Sequence, residues 1–273
     1  MPLQKINGVG IRYENSGTSG PPLVMVHGSW GSHHNWDLVA PGLAESFRVI
    51  TYDRRGHSES ERPPGQGSIH EDVADLAALI EHLDLAPAYV AGNSWGAIIT
   101  LRLAITRPEL LHAIACHEPP LIALIADDPE VGPIAEATGE RLAAVIHALA
   151  AGDDAGGAKL FVETLAMGAG IWDKLPPHLR RTFVENGSTY LDECRDPDQR
   201  SIDLDQVKRI STPTLISRGD QSPPWFPPIV RILVASIPRA QELLLHGAGH
   251  IPHTTHPSEY VEAVTGFMTI HGS

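Results

Sequence analysis

"AYVAGNSWGAIITLRLAI", residues 88–105, falls into three pieces. "AYVA" is a short apolar run of the kind that forms a strand buried on both faces. "GNSWG" (92–96) brackets Ser94 with two glycines, and "AIITLRLAI" has helical character up to about Thr106, before Pro108. A serine in this position occupies a sharp, strained turn, and the flanking glycines leave room for backbone that a Cβ would obstruct. Its hydroxyl projects above the carboxyl end of the sheet, where ligands bind in open α/β folds. The helix that follows lends positive potential to a developing oxyanion. The alternative is a glycine-rich turn with an idle serine. If Ser94 attacks, the chain must also supply a base, an acid and a cradle for negative charge.

The same alternation extends in both directions. "VGIRYEN" reads as a strand paired through an Asn7-Gly8 turn with the residues before it. "PPLVMVHG" reads as a buried strand, "NWDLVAPGLAES" as a helix, and "FRVITYD" as the next strand. "HEDVADLAALIEHLDL" repeats apolar residues at helical spacing with acidic residues at its start. "LLHAIACHE" returns to strand character. Such alternation implies right-handed crossovers and a mostly parallel, doubly wound sheet covered on both faces. The rhythm stops at Pro119-Pro120. To about Asp205 the chain is helix-like, clearest in "PEVGPIAEATGERLAAVIHALAAG" and in "PPHLRRTFVENG", with Pro177 as a start and Gly187 as a stop. Strand and helix patterns then resume through "TPTLISRGD", a helix after "SPPWFPP", "AQELLLHG" and a closing helix "PSEYVEAVTGFMTI". The expected organisation is an α/β core of residues 1–118 and 206–273, interrupted by a helical cap insertion at 119–205.

Composition narrows the function classes. The chain has 273 residues, 42% hydrophobic, with a formal charge of −13. It carries no run of Lys and Arg, so nucleic acid and anionic membrane surfaces are poor partners. Two cysteines, Cys116 and Cys194, make a disulfide framework unexpected. The first residues lack a basic segment followed by an apolar core, and no stretch approaches the ~20 apolar residues of a bilayer span. The expectation is a cytoplasmic protein, for which a homodimer is compatible with the sequence.

The stretches "VMVHGSWG", "YDRRGHSES", "GNSWG" and "GAGHIPH" follow one another in the order and near the spacings of the α/β-hydrolase family. The chain resembles that family over nearly its whole length. The resemblance implies a nucleophile at Ser94 and, among His246, His250, His253 and His256, a base at His250 in "GAGH". A metal reading of the four histidines is disfavoured, because Gly247, Gly249 and Pro252 prevent the helix that would align them. One oxyanion donor is implied at the backbone N–H of Trp95. The other lies in the loop after "VMVHG", at Ser29 by the resemblance, with Gly28 and Trp30 as alternatives. Trp30, His33, His34, Trp36 and Trp172 are candidate pocket residues. Leu124, Ile125, Met167, Trp172 and Phe183 are candidate lid residues.

The acid departs from the family's commoner pattern. Where most relatives place an Asp after the seventh strand, "SRGDQSPPW" has Ser222 and leaves Asp220 beside Gly219. The chain has a carboxylate at the other place the family uses, Glu118 in "CHEPP", immediately after the sixth strand. Some haloalkane dehalogenases and the zearalenone-type lactonases with their own "CHE" place it there. Glu118 is the preferred acid and Asp220 the alternative. Glu118 pairing with an arginine, or Asp220 capping its turn, would be purely structural. The resemblance thus implies a serine esterase or lactonase without cofactor, acting on a small hydrophobic substrate through an acyl-enzyme. Carbon–carbon hydrolysis or cofactor-free perhydrolysis on the same triad, and a ligand receptor that has lost turnover, are the competing readings.

Overall fold

The computed structural model describes residues 3–271. Nine strands are present among these described residues: β1 (Gln4–Ile6), β2 (Val9–Ile11), β3 (Tyr13–Ser16), β4 (Pro22–Val26), β5 (Arg48–Tyr52), β6 (Ala88–Asn93), β7 (Leu111–His117), β8 (Thr214–Gly219) and β9 (Ala240–Leu245). β1 and β2 form a separate antiparallel hairpin, and the other seven make one sheet in the order β3-β5-β4-β6-β7-β8-β9. Within that sheet only β3 runs antiparallel to its neighbour. "VGIRYEN" is therefore not one strand. It breaks at Arg12 and serves two sheets, because Val9–Ile11 pairs back on β1 while Tyr13–Ser16 pairs with β5.

The central strands are continuously apolar because both faces are covered. On one face Val24, Val26, Ile50 and Val90 pack with α1 (Ile69–His82) and α2 (Trp95–Thr106). On the other, Leu23, Met25, Tyr89 and Ala91 pack with Tyr260, Val264 and Phe267, which lie on the closing helix at Pro257–Ile270. The two-residue period of a strand assigns the side chains to these separate cores. α1 begins at a Ser68–Glu71 capping box. "NWDLVAPGLAES", read as a helix, yields only a 3-10 turn at His33–Trp36 and a four-residue helix at Ala40–Leu43. Pro41 has no N–H to continue a helix begun before it.

No strand is found between β7 and β8 among the described residues. The chain there forms α3 (Gly132–Ala150), α4 (Asp154–Phe161), α5 (Pro177–Glu185) and α6 (Gly187–Arg195). Leu142, Val145, Leu149, Ala158, Tyr190 and Leu191 make a small core of their own, and Trp30 enters it from the loop after β4. The helix begun at Pro177 ends at Glu185 with Asn186 as its cap, so Gly187 falls just past its end, and the same glycine is also the first residue of α6. A Cβ on Gly187 would sit 3.0 Å from Leu149 Cδ2, so the glycine permits the close approach of α3 and α6. After β8 the chain forms α7 (Phe226–Ser236) and, after β9, α8 (Pro257–Ile270).

Candidate active site

Ser94 stands between β6 and α2 with φ +56° and ψ −120°. A β-carbon destabilises this conformation, and residues held so cost on the order of 1–3 kcal/mol. The surroundings impose it. The Ser94 N–H donates to the His117 carbonyl at 2.9 Å. A Cβ on Gly92 would lie 2.3 Å from the Gly96 carbonyl oxygen, and one on Gly96 would lie 2.1 Å from that of Val26. Neither neighbour of the turn can therefore carry a side chain. Trp95 opens the helix, so its N–H has no intrahelical acceptor and remains available.

His250 lies in the loop after β9. Its Nδ1 is 2.7 Å from Glu118 Oε2, and its carbonyl accepts from Asn93 Nδ2 at 2.9 Å. The imidazole is thus tied to the residue beside Ser94 through its backbone, and to Glu118 through its ring. Phe226 stacks on the ring at 4.9 Å between centroids and 18° between planes. Glu118 is fully buried, and its other oxygen accepts the Gly219 N–H at 2.8 Å. Burial alone would push this carboxyl up. The hydrogen bond with His250 and the nearby imidazoles of His117 and His250 outweigh it and hold the pKa below the ordinary carboxylate value. Glu118 also has φ +47°, a left-handed backbone that turns its side chain under the histidine loop.

Asp220 is exposed and does not meet His250. It accepts the Gly247 N–H at 2.8 Å and the Gln221 side-chain amide at 3.0 Å, and pairs with His246 Nδ1 at 3.1 Å. It caps its own turn. The other histidines of that stretch diverge: His253 is buried against Trp36, and His256 Nδ1 approaches the Thr255 hydroxyl at 2.9 Å.

The loop after β4 is held from below and above. His27 Nδ1 donates to the Gly28 carbonyl at 2.8 Å, while its Nε2 accepts the Arg54 N–H at 3.0 Å. This pair of contacts selects one tautomer. Burial, and then the charge of Arg54, push the His27 pKa down to about 3, so the ring is neutral. Fixing the Gly28 carbonyl also fixes the opposite edge of a planar trans peptide, the Ser29 N–H. Above the loop, Asn186 Nδ2 donates to the Gly31 carbonyl at 2.9 Å and the Trp30 carbonyl at 3.3 Å. No apolar period or motif marked Asn186, because it sits at a helix junction.

Trp30 is buried in an aromatic group with Tyr190, Phe161 and Phe183 at centroid distances of 4.5, 4.9 and 5.8 Å. Trp172 is half-buried at its edge, 6.4 Å from Phe183. His33 is buried, and both its backbone N–H and its Nδ1 meet Asp53 Oδ1, at 2.7 and 2.8 Å. Its ring joins two loops, while the neighbouring His34 is exposed and pairs with Asp37 at 3.0 Å. His33, His34 and Glu59 offer ligand atoms within 4.8 Å of one another. Arg12 already binds Glu59 at 3.1 Å and Glu14 at 2.5 Å, so a cation is seated among these carboxylates. A buried ion network was also invisible in the sequence: Arg54 pairs with Asp72 at 3.0 Å and with Glu193 of α6, and Trp95 Nε1 donates to Asp72 at 3.1 Å.

Comparison with known proteins agrees with this architecture. Residues 21–257 match the alpha/beta hydrolase fold family. An uncharacterized hydrolase, YraK, of Bacillus subtilis is 39% identical over 125 residues, 44% of this chain and 45% of that protein. The match thus spans less than half the length of that curated relative. Among solved structures, an alpha/beta hydrolase of Sphaerobacter thermophilus superposes with a TM-score of 0.78 at 28% identity, over 98% of both chains. The enol-lactonase of Burkholderia xenovorans shares the fold, with a TM-score of 0.75 at 22% identity over 98% of this chain and 100% of that one. No helix among the described residues is long and apolar enough to cross a membrane. With a seven-stranded, mostly parallel sheet, a serine on a strained strand-to-helix turn and a family match over most of its length, this chain belongs to the α/β-hydrolase fold family.

Proposed function

We propose that the protein is a serine hydrolase that cleaves a carboxylic ester or lactone, with Ser94 as nucleophile, His250 as base and Glu118 as acid. The observation that carries this reading is the 2.7 Å contact between His250 Nδ1 and a buried Glu118, in a loop bonded to Asn93 beside Ser94. A carboxylate on Nδ1 keeps that nitrogen protonated and leaves Nε2 free to accept the Ser94 proton. The alkoxide oxygen attacks the carbonyl carbon. The N–H groups of Trp95 and Ser29 receive the oxyanion of the tetrahedral intermediate. Collapse expels the alcohol, which takes its proton from His250; in a lactone it stays tethered. Water, deprotonated by the same histidine, then hydrolyses the acyl-enzyme.

The chemistry needs no cofactor. Residues 119–205 act in this reading as a lid whose apolar members, among them Leu124, Ile125, Met167, Trp172 and Phe183, suit a hydrophobic substrate. The test is labelling with a fluorophosphonate, with turnover of a panel of activated esters and lactones. Ser94→Ala should abolish both, and His250→Ala should slow both by several orders of magnitude. Wild-type protein that is folded yet neither labels nor hydrolyses any member sinks the reading and favours a receptor. Labelling without ester or lactone turnover points instead to carbon–carbon hydrolysis or perhydrolysis.

A further inference from the structure

Among the described residues, the six non-glycine positions with positive φ include Trp30 at +63° and Ser58 at +45°. These two lie on different loops, one after β4 and one after β5, and both are held by one fully buried side chain, Asn186, from between α5 and α6. Asn186 Oδ1 accepts the Ser58 N–H at 2.7 Å. Its Nδ2 donates to the Gly31 and Trp30 carbonyls at 2.9 and 3.3 Å and reaches the Ser58 hydroxyl at 3.3 Å. Because one partner is a donor and two are carbonyl acceptors, the amide has only one orientation that satisfies them. Its own backbone is locked as well, its N–H to Thr182 and its carbonyl to the Tyr190 N–H.

We infer that Asn186 is a positioning residue that holds the 28–31 loop in the conformation that aims the Ser29 N–H at the oxyanion. The inference rests on the serine-hydrolase reading of the site. Trp30 in the left-handed region is strained, and without the amide its carbonyl and that of Gly31 lose buried donors. The loop then relaxes at the Trp30 and Gly31 peptides, leaving the His27 contact with the Gly28 carbonyl to hold the Ser29 N–H without support from the other side of the turn. A donor displaced by about 1 Å costs on the order of 10²-fold in rate, while ground-state binding depends little on it. The helical segment thereby completes the cradle from a distance, through the backbone of the core loop.

The experiment compares Asn186→Ala and Asn186→Asp with Thr189→Val. Thr189 makes an equivalent bond from α6 to the core, its hydroxyl donating to the carbonyl of Gly56, which lies outside the 28–31 loop, at 2.6 Å. Asn186→Asp keeps the acceptor for Ser58 and sets an oxygen against two carbonyls. Each is assayed where its melting curve shows it folded. Both Asn186 variants should lose about 100-fold in kcat with KM within about threefold of wild type, and Ser94 phosphonylation should slow by a similar factor. Thr189→Val should stay within about threefold throughout. Equal losses in all three variants, or a loss confined to KM, overturn the inference, as does failure of both Asn186 variants to fold. A wild-type protein that is not phosphonylated at Ser94 removes the serine-hydrolase reading itself. A labelled wild type with an unimpaired Asn186→Ala removes only the positioning role.

Discussion

Glu118 reaches His250 at 2.7 Å with one oxygen and holds the Gly219 N–H at 2.8 Å with the other, so its carboxylate is oriented at both ends. That arrangement makes the amide substitution informative. In Glu118→Gln the carbonyl oxygen stays with Gly219, and the NH2 faces His250 Nδ1. The imidazole must then accept at Nδ1 and carry its proton on Nε2, the wrong tautomer for a base. A loss of about 10³–10⁴ in kcat is expected, as for the equivalent change in other triads. Asp220→Asn should stay within about twofold, since Asp220 serves the turn at Gly247. Steady-state kinetics on an activated ester decide it, and the opposite ranking rejects Glu118 as the acid.

Ser94 at φ +56° and ψ −120° gives a stability test independent of turnover. Glycine relieves the strain and alanine keeps it, although both remove the hydroxyl. Ser94→Gly should therefore exceed Ser94→Ala in unfolding free energy by about 1–3 kcal/mol, less a few tenths for the added freedom of the unfolded chain. Chemical denaturation of the two inactive variants measures it. Equal stabilities would mean that the turn is not strained.

The strand-and-helix rhythm was legible because each face of the central sheet is buried, so Leu23 through Val26 and Ala88 through Ala91 read as unbroken apolar runs. Ser94 and the glycines around it were legible because the turn admits no Cβ on either side. Junctions were not. Arg12 splits one apparent strand between two sheets, and Gly187, just past the end of α5, also opens α6 against α3. Asn186 leaves no periodic trace, for its side-chain partners lie on two loops at sequence separations of 128, 155 and 156. Arg54, Asp72 and Glu193 were hidden likewise, because the sequence does not show which charges will be buried together.

That buried trio, Arg54 between Asp72 and Glu193, has a pH signature of its own. Burial, only partly offset by Arg54, pushes the Asp72 pKa up to about 6 from its ordinary 3.8. The folded state then holds a proton that the unfolded state has released between these values, so this group's contribution to stability falls as pH rises through that window. Arg54→Met leaves two carboxylates buried without their cation. It should cost about 3–5 kcal/mol at pH 8. The cost should be smaller at pH 5, where Asp72 protonates. Denaturation curves at the two pH values provide the check, and a cost independent of pH would show that Asp72 does not titrate in the fold.

His253 governs a second, opposite dependence. It is buried against Trp36 and Tyr260, at 4.7 and 6.0 Å between ring centroids, and neither ring nitrogen has a hydrogen-bond partner. Burial, then His117 and His250, push its pKa down to about 3, and burial pushes that of His117 down to about 4 and that of His27 to about 3. Their ordinary value is 6.5, so between there and about 4 the unfolded chain binds protons that the folded chain refuses. Stability from these groups is complete above 6.5 and drains away as pH falls, at roughly 1.4 kcal/mol per pH unit for each histidine once well below 6.5. His253→Phe keeps the ring packing and removes one of the titrating groups. The slope of unfolding free energy between pH 6 and 4.5 should therefore flatten by about 1.4 kcal/mol per pH unit. At pH 7 the variant should be no less stable than wild type, because two unpartnered nitrogens leave the core. An unchanged slope would mean that His253 finds a way to protonate in the folded protein, either by admitting water or by moving its loop toward the surface.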